Sequence, residues 1–230
     1  MSGTLYIVST HIGNIDDLNF RAKRILQECD IIICEELKPA RQLLKSLNLY
    51  KELLPLNEHT EQNTTPLIIE LLKSGKNCCL ISDAGTPVFS DPGNYLLNIV
   101  RQNDIQISLV PGPDSLIPSL VVSGFDISKF YFAGWLSPKS EERKSQLKKL
   151  KTIDLTIALM ETPYRLKQLL NDVSEIFGKD TLVSLACDLT TTAEHVYRGK
   201  IEDIINELKE VNLKCEFVLV IDNKKTRRVG

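Results

Sequence analysis

The sequence predicts an α/β protein of two domains, the first with a mainly parallel sheet and the second with a mixed sheet. Short apolar runs alternate with amphipathic helical patterns, which is typical of strand–helix–strand crossover units. Beyond residue 120 the rhythm changes, and two strand candidates follow each other closely enough to form a hairpin. We therefore expect one domain over residues 1–120 and another over residues 121–230.

Four apolar runs in the first half are predicted strands. They are Leu5–Val8, Ile31–Cys34, Asn77–Ile81 and Ile105–Val110. The helical patterns between them are a face formed by Leu18, Ala22, Ile25 and Leu26, and the segments Pro39–Leu47, Pro66–Lys73 and Pro92–Arg101. Each of the three prolines fits a first helical position, and Thr65 and Asp91 fit as N-caps. Gly75 fits the residue just after a helix end.

The second half has five strand candidates and two strongly periodic helices. The strands are Phe130–Trp135, Leu155–Met160, Leu182–Ala186, His195–Arg198 and Phe217–Ile221. The apolar faces of the helices run from Leu166 to Phe177 and from Ile201 to Val211. The hairpin formed by the third and fourth strands makes this sheet mixed.

Composition excludes several classes of protein. The chain has 230 residues, 43% of them hydrophobic and 25% charged, as in ordinary globular proteins. Its net charge of −2 gives no global electrostatic case for a nucleic-acid or membrane partner. No apolar run approaches the roughly 20 residues of a membrane-spanning helix, and the start lacks the order of a signal peptide. We expect a cytoplasmic protein with six reduced, buried cysteines and no metal site.

Three predicted strand ends carry loops suited to a ligand. The longest is Ser82–Gly93, in which Gly85 lets the backbone approach a ligand closely and two prolines hold the shape. Ser9–Asn14 and Pro111–Ser115 follow two other strands. Open α/β sheets bind ligands at the carboxyl ends of their strands, so these loops should line one crevice. None matches a dinucleotide or nucleoside-triphosphate loop.

Six motifs, in this order along the chain, resemble those of the tetrapyrrole-methylase superfamily. They are Thr10–Asn14, Cys34-Glu35, Asn57–His59, Ser82–Gly93, Pro111–Ser115 and Glu161–Arg165. The match extends over about residues 4–221 and is nearest to the branch that methylates a cytidine 2′-hydroxyl of small-subunit ribosomal RNA. The resemblance implies two α/β domains with S-adenosylmethionine in the cleft between them, and a homodimer.

Carried over position by position, the resemblance implies a set of cofactor-binding residues. These are His11, Ala84, Gly85, Thr86, Phe89, Asp114, Ser115, Met160, Glu161 and Leu189. His11 stands where the family usually has proline. A hydroxyl acceptor also needs a group that takes its proton. The candidates for this general base are Glu35, Glu58 and His59, with Glu36 and Glu161 also in range of the expected cleft.

Residues 137–151 form a basic segment with a local charge balance of +4, and the tail Lys224–Arg228 adds four more positive charges. Clustered cations are typical of phosphate-backbone binding. The alternative is an exposed, solvated helix, because only Leu147 and Leu150 are apolar. We expect RNA contact, with Lys144, Lys148 and Lys149 on phosphates and the helix outside the core.

Two segments depart from the branch. Cys34–Lys38 reads CEELK where the branch reads CEDTR, and Cys187–Thr191 reads CDLTT where the branch reads RELTK. The leading hypothesis is an S-adenosylmethionine-dependent methyltransferase acting on a ribose 2′-hydroxyl of ribosomal RNA. One alternative is a methyltransferase with a tetrapyrrole or another small molecule as acceptor. The other is a cofactor-binding module that has lost catalysis at the altered positions.

Overall fold

The chain folds as two compact units, Met1–Asp114 and Ser115–Gly230. The computed structural model describes residues 2–209, 211 and 214–224. Residues 225–228 of the basic tail therefore lie outside the described residues. No helix of the described part is long and apolar enough to cross a membrane. All six cysteines are buried, as predicted.

The described residues of the first unit form five strands and four α-helices. In chain order they are β1 (Thr4–Val8), α1 (Phe20–Glu28), β2 (Ile31–Cys34), α2 (Leu37–Ser46), β3 (Glu52–Pro55), α3 (Glu61–Lys73), β4 (Cys78–Ile81), α4 (Asn94–Gln102) and β5 (Gln106–Val110). The strands pair in the order β3-β2-β4-β1-β5. Every pair is parallel. The carboxyl ends of all five strands therefore lie along one edge.

Helices cover both faces of this sheet, so its central strands are apolar throughout rather than alternating. Ile32 of β2 packs in a cluster with residues of α1 and α2. Its neighbour Ile33 packs in a second cluster with residues of α3 and α4. Successive side chains of a strand point to opposite faces, so these strands contribute to two separate apolar layers, one on each face of the sheet.

Five strands are also present in the described part of the second unit. In chain order its elements are α5 (Leu116–Ser123), β6 (Phe130–Trp135), α6 (Ser140–Lys151), β7 (Thr156–Glu161), α7 (Leu166–Phe177), β8 (Leu182–Cys187), β9 (His195–Lys200), α8 (Ile201–Glu207) and β10 (Phe217–Ile221). The order in the sheet is β6-β7-β10-β8-β9. β6 and β7 are parallel and the other pairs are antiparallel, so the sheet is mixed, as predicted. One apolar cluster joins a face of the sheet to α6, α7 and α8, and another joins the opposite face to α5.

Several predicted boundaries in the first unit are wrong. β3 was not predicted, because it is a four-residue edge strand whose side chains are only partly buried. α3 begins at Glu61, so Pro66 lies inside it, and the Thr65 hydroxyl donates to the Glu61 carbonyl instead of capping. α4 has Gly93 as its N-cap, not Asp91. Pro66 is the sixth residue of α3 and Pro39 the third of α2, so a proline does not identify the first residue of these helices.

The expectation that α6 lies outside the core is also wrong. Leu147 is fully buried, and the Arg143 side chain is 2% exposed. The Arg143 guanidinium binds the Asp172 carboxylate of α7, with Nε and Nη2 at 2.7 and 2.6 Å from Oδ2. Its Nη1 donates to the carbonyls of Ser137 and Pro138. A buried ion pair therefore joins α6 to α7 and to the loop after β6.

We expect Arg143→Ala to lower the free energy of unfolding by about 3 to 5 kcal/mol, because Asp172 would be left as a buried charge without its main partner. Lys148→Ala on the exposed side of α6 is the matched control and should change stability by less than about 0.5 kcal/mol. Chemical denaturation of both variants measures the difference. Equal stabilities would contradict the structural role of Arg143.

Candidate functional site

The loops after β1 and β4 are joined by two backbone hydrogen bonds. The Thr10 amide donates to the Gly85 carbonyl at 2.8 Å, and the Gly85 amide donates to the His11 carbonyl at 3.3 Å. β1 lies between β4 and β5 in the sheet, so the three predicted ligand loops follow adjacent strands. The structure therefore brings Ser9–Asn14, Ser82–Gly93 and the loop after β5 together, as the sequence predicted.

Buried hydroxyl groups strengthen this junction. Ser9 Oγ and Thr86 Oγ1 are 2.8 Å apart and share a hydrogen bond. The Ser82 hydroxyl donates to the Gly85 carbonyl at 3.0 Å, and the Thr10 hydroxyl donates to the Ser82 carbonyl at 3.3 Å. Because buried polar groups without partners are costly, each of these bonds favours one arrangement of the loops.

Glycine is required at two positions of the junction. Gly85 has a φ of +81°, and a Cβ there would lie 3.4 Å from Ile12 Cγ2 and 3.6 Å from the Pro113 carbonyl. A Cβ at Gly112 would lie 2.9 Å from Ser9 Cβ, closer than carbon atoms approach. Val88 has a φ of +70°, a strained conformation for a β-branched residue. Such strain persists only where the surrounding structure imposes it, and it is concentrated at functional sites.

A pocket of about 270 Å³ opens beside the loop after β1. The residues that line it come from this loop, from α2 and from the start of the loop after β4: His11, Ile15, Pro39, Ala40, Gln42, Leu43, Ser46, Ser82 and Asp83. Burial lowers the pKa of His11, and the charge of Asp17 opposes this only in part. The imidazole is therefore neutral at pH 7. Its Nδ1 atom is buried without a hydrogen-bond partner among the described residues.

The three candidates for a general base occupy different environments. Glu35 follows β2 and is partly buried, and burial, followed by the charges of Asp91 and Asp83, raises its pKa. Burial also raises the pKa of Asp83 and of Asp91. Glu58 and His59 form a pair at 3.3 Å, with side chains 80% and 83% exposed. The surroundings of Glu35 thus hold its proton more tightly than water would.

In the second unit, Glu161 is a buried carboxylate at the end of β7. Its Oε1 accepts hydrogen bonds from the Thr162 amide at 2.7 Å and from Arg165 Nε at 2.8 Å. Arg165 Nη2 lies 2.6 Å from the same oxygen. The other oxygen, Oε2, is buried without a hydrogen-bond partner among the described residues. One acceptor site on this carboxylate therefore remains open.

Two other predicted residues of the second unit lie at the same edge of its sheet. Met160 precedes Glu161 on β7. Leu189 is buried in the loop after β8, between Asp188 and Thr190, which have φ angles of +47° and +69°. The loop is held by bonds such as that from the Thr190 amide to Glu194 Oε2 at 2.6 Å. β7 and β8 both end at this edge, because each is antiparallel to β10 between them.

Comparison with known proteins identifies the family. The model of the tetrapyrrole (corrin/porphyrin) methylases matches residues 4–205. The chain belongs to the tetrapyrrole methylase family. It is 37% identical over 223 residues to the ribosomal RNA small subunit methyltransferase I of Thermotoga maritima, covering 97% of this chain and 100% of that one. It is 34% identical to the protein of the same name from Bacillus subtilis, covering 99% of this chain and 77% of that one.

Solved structures confirm the methylase fold. A cobalamin biosynthetic enzyme, cobalt precorrin-4 methyltransferase, aligns with a TM-score of 0.71 at 16% identity and covers 95% of this chain and 94% of that one. The uroporphyrin-III-C-methyltransferase of Thermus thermophilus aligns with a TM-score of 0.65 at 21% identity and covers 96% and 94%. At these identities the likeness concerns the fold alone.

The basic segment of this methylase is much less available than its composition indicates. Besides the buried Arg143, Lys144 Nζ lies 2.6 Å from Glu175 Oε2 and Lys139 Nζ lies 3.0 Å from Glu142 Oε1. Lys151 Nζ donates to the Ile176 carbonyl. Lys144 is therefore paired within the protein, and its contact with a phosphate stays a prediction. Composition counts charges but does not show which of them are paired within the protein.

Sequence reasoning missed the part played by Arg165. Its partner Glu161 was predicted as a cofactor residue, and the spacing of four residues between the two was visible in the sequence. Such a spacing is ordinarily a weak signal of an ion pair on an exposed helix surface. Here the pair lies at a strand end and one member is fully buried. No local pattern predicts that burial.

We expect Glu35→Gln to raise the melting temperature at pH 7. An acid whose folded-state pKa is raised loses stability as pH rises from its unfolded value through its folded value. The gain should disappear below pH 4.5, the ordinary pKa of glutamate, because the carboxyl group is then protonated in both states. Glu58→Gln, at an exposed side chain, is the control. Thermal melts over a pH series measure the effect. The same pH dependence in both variants would contradict a raised pKa at Glu35.

Proposed function

We propose that the chain transfers a methyl group from S-adenosylmethionine to a ribose 2′-hydroxyl of small-subunit ribosomal RNA. The observation that carries this proposal is the full-length likeness to proteins named ribosomal RNA small subunit methyltransferase I. The site supports it, because three strand-end loops form a rigid backbone surface where α/β sheets bind ligands. We further propose a cytoplasmic homodimer, by analogy with the resembling branch.

The residues present fit S-adenosylmethionine, which supplies a methyl group on a positively charged sulfur. Ala84, Gly85 and Thr86 present backbone with little side-chain bulk, and the half-exposed Phe89 offers a ring. The open acceptor on Glu161 and the carboxylate of Asp114 suit a cationic ligand. We propose that these residues, with His11, Ser115, Met160 and Leu189, contact the cofactor. The neutral imidazole of His11 adds no opposing charge.

We propose that Glu35 takes the proton of the acceptor hydroxyl. A carboxylate with a raised pKa is a stronger base than an ordinary one, and Asp83 and Asp91 contribute to that rise. Glu58 and His59 remain alternatives, but both are largely solvated. The rest of the rate acceleration comes from holding donor and acceptor in line, which is the task of the rigid loops.

The two alternatives make different predictions. A small-molecule methyltransferase would have a tetrapyrrole or another small molecule as its acceptor. A module without catalysis would bind the cofactor but transfer nothing, as a result of the changes at residues 36–38 and 187–191. The acceptor therefore has to be determined by assay.

Incubation with methyl-labelled S-adenosylmethionine and in vitro transcribed small-subunit ribosomal RNA should label the RNA. The label should survive in alkali-resistant dinucleotides, because a methylated 2′-oxygen cannot assist backbone cleavage. Glu35→Gln should lower kcat by roughly 10²- to 10⁴-fold, and wild-type activity should rise with pH through the raised pKa of Glu35. In a parallel reaction with a tetrapyrrole acceptor, label in the tetrapyrrole and none in RNA would favour a small-molecule methyltransferase. No transfer to either acceptor would favour a module that has lost catalysis.

We expect Gly85→Val to abolish binding of S-adenosylmethionine, because valine at a φ of +81° would force the loop out of its conformation. Gly199→Val is the matched control, since a Cβ at Gly199 meets nothing within 4 Å. Calorimetric titration measures the affinity of both variants, with thermal melts to verify folding. Wild-type affinity in Gly85→Val would contradict the assignment of this loop.

A further inference from the structure

Two large aromatic side chains are exposed at the edge of the second unit's sheet where β6 and β7 end. Trp135 is the last residue of β6 and is 47% exposed, and Tyr164 follows β7 and is 82% exposed. The proposed function as stated assigns neither of them a role. Exposed rings on rigid backbone are suited to stacking with flat ligands.

The position of Trp135 is set by a β-bulge. The pairing of β6 with β7 shifts between Phe132 and Gly134, and Gly134 has a φ of +63°. After the shift Trp135 pairs with Met160, and before it Phe132 pairs with Ala158. Paired residues share a face of the sheet, so the bulge keeps Trp135 on the face of Phe132 and beside the proposed cofactor residue Met160.

Tyr164 is held in place by the buried carboxylate. It lies in the short helical turn Pro163–Arg165, and Arg165 is anchored to Glu161 by contacts of 2.6 and 2.8 Å. The ring is therefore exposed while its backbone is fixed to the end of β7. A surface ordered before its ligand arrives loses less entropy on binding.

Cations flank Tyr164. Lys214 Nζ lies 5.7 Å from the centre of the Tyr164 ring, and Lys167 is exposed three residues further along the chain. The structure shows no carboxylate partner for either lysine among the described residues. Lys148 and Lys149 lie elsewhere, because α6 returns from the end of β6 to the start of β7. The end of β10 lies beside the start of β7, because the two strands are antiparallel. Asn223, which follows β10, donates to the Lys151 carbonyl, so α6 ends at the edge of the sheet opposite Trp135 and Tyr164.

We propose that Trp135 and Tyr164 stack with unpaired bases of the ribosomal RNA acceptor, and that Lys167 and Lys214 contact its phosphates. This inference rests on the proposed function and assigns the residues that recognise its substrate. Stacking needs bases that are splayed out of a helix, so the segment bound is single-stranded. The lysines match its charge, and the rings match its base faces.

The chain contains one tryptophan, so fluorescence excited at a wavelength that tyrosine does not absorb reports on Trp135 alone. Titration with in vitro transcribed small-subunit ribosomal RNA, in the presence of S-adenosylhomocysteine, should quench this fluorescence. Tyr164→Ala should weaken RNA affinity and raise the KM for RNA by roughly five- to a hundredfold, the range measured for one stacked base. Tyr164→Phe keeps the ring and should behave as the wild type.

Trp135→Ala should weaken RNA affinity as much as Tyr164→Ala does, and filter binding measures this affinity. Its affinity for S-adenosylmethionine should be unchanged. Replacing Lys167 and Lys214 together by Ala should reduce the slope of log affinity against log salt by about 0.7 per lysine. The double variant Lys148→Ala/Lys149→Ala is the matched control and should keep the wild-type slope. Thermal melts verify that each variant is folded.

The outcomes separate this inference from the proposed function. RNA methylation by the wild type together with an unchanged KM in Tyr164→Ala and Trp135→Ala would overturn the stacking surface and leave the proposed function intact. A reduced slope in the Lys148/Lys149 variant, with none in the Lys167/Lys214 variant, would also overturn it. Absence of methyl transfer to RNA by the wild type would overturn both proposals.

Discussion

The pair of hydrogen bonds between Thr10, His11 and Gly85 determines the shape of the candidate site. Each loop donates one backbone hydrogen bond to the other, so each loop restrains the conformation of its neighbour. The bonds form only because Gly85 adopts a left-handed backbone, and the hydroxyls of Ser9 and Ser82 then bond to the same loop. Main-chain pairing thus forms a surface for close backbone contact with a ligand, and the Ser9 and Ser82 hydroxyls stabilise it.

The edge of a sheet organises function in both units. In the first unit all strands are parallel, so every strand-end loop lies on one side, and Glu35, Asp83 and Gly85 share it. In the second unit antiparallel β10 separates two strands of equal direction, and the ends of β7 and β8 lie at one edge. The mixed sheet therefore also gathers strand-end loops at one edge, although its strands are connected differently.

Much of this organisation was predictable from the sequence, since apolar periodicity located nine of the ten strands along the described chain. The loop Ser82–Gly93 was also identified by its turn residues. The first residues of the helices were not predictable, because Pro66 lies inside α3 and does not mark its start. The surroundings of α6 were not predictable either. Arg143 and Lys144 have the composition of an exposed face, and only the position of α7 shows that Asp172 and Glu175 lie beside them.

The bulge in β6 makes the length of this strand a determinant of recognition. Side chains alternate between the two faces of a strand, so one residue inserted between Gly134 and Trp135 would move the tryptophan to the opposite face. Deletion of the unpaired residue Ala133 would instead close the bulge and leave Trp135 paired with Met160. A single-residue insertion would thus exchange the aromatic surface for the inserted side chain. Among proteins that share this fold and differ in acceptor, such changes in strand length offer a short evolutionary route from one substrate to another.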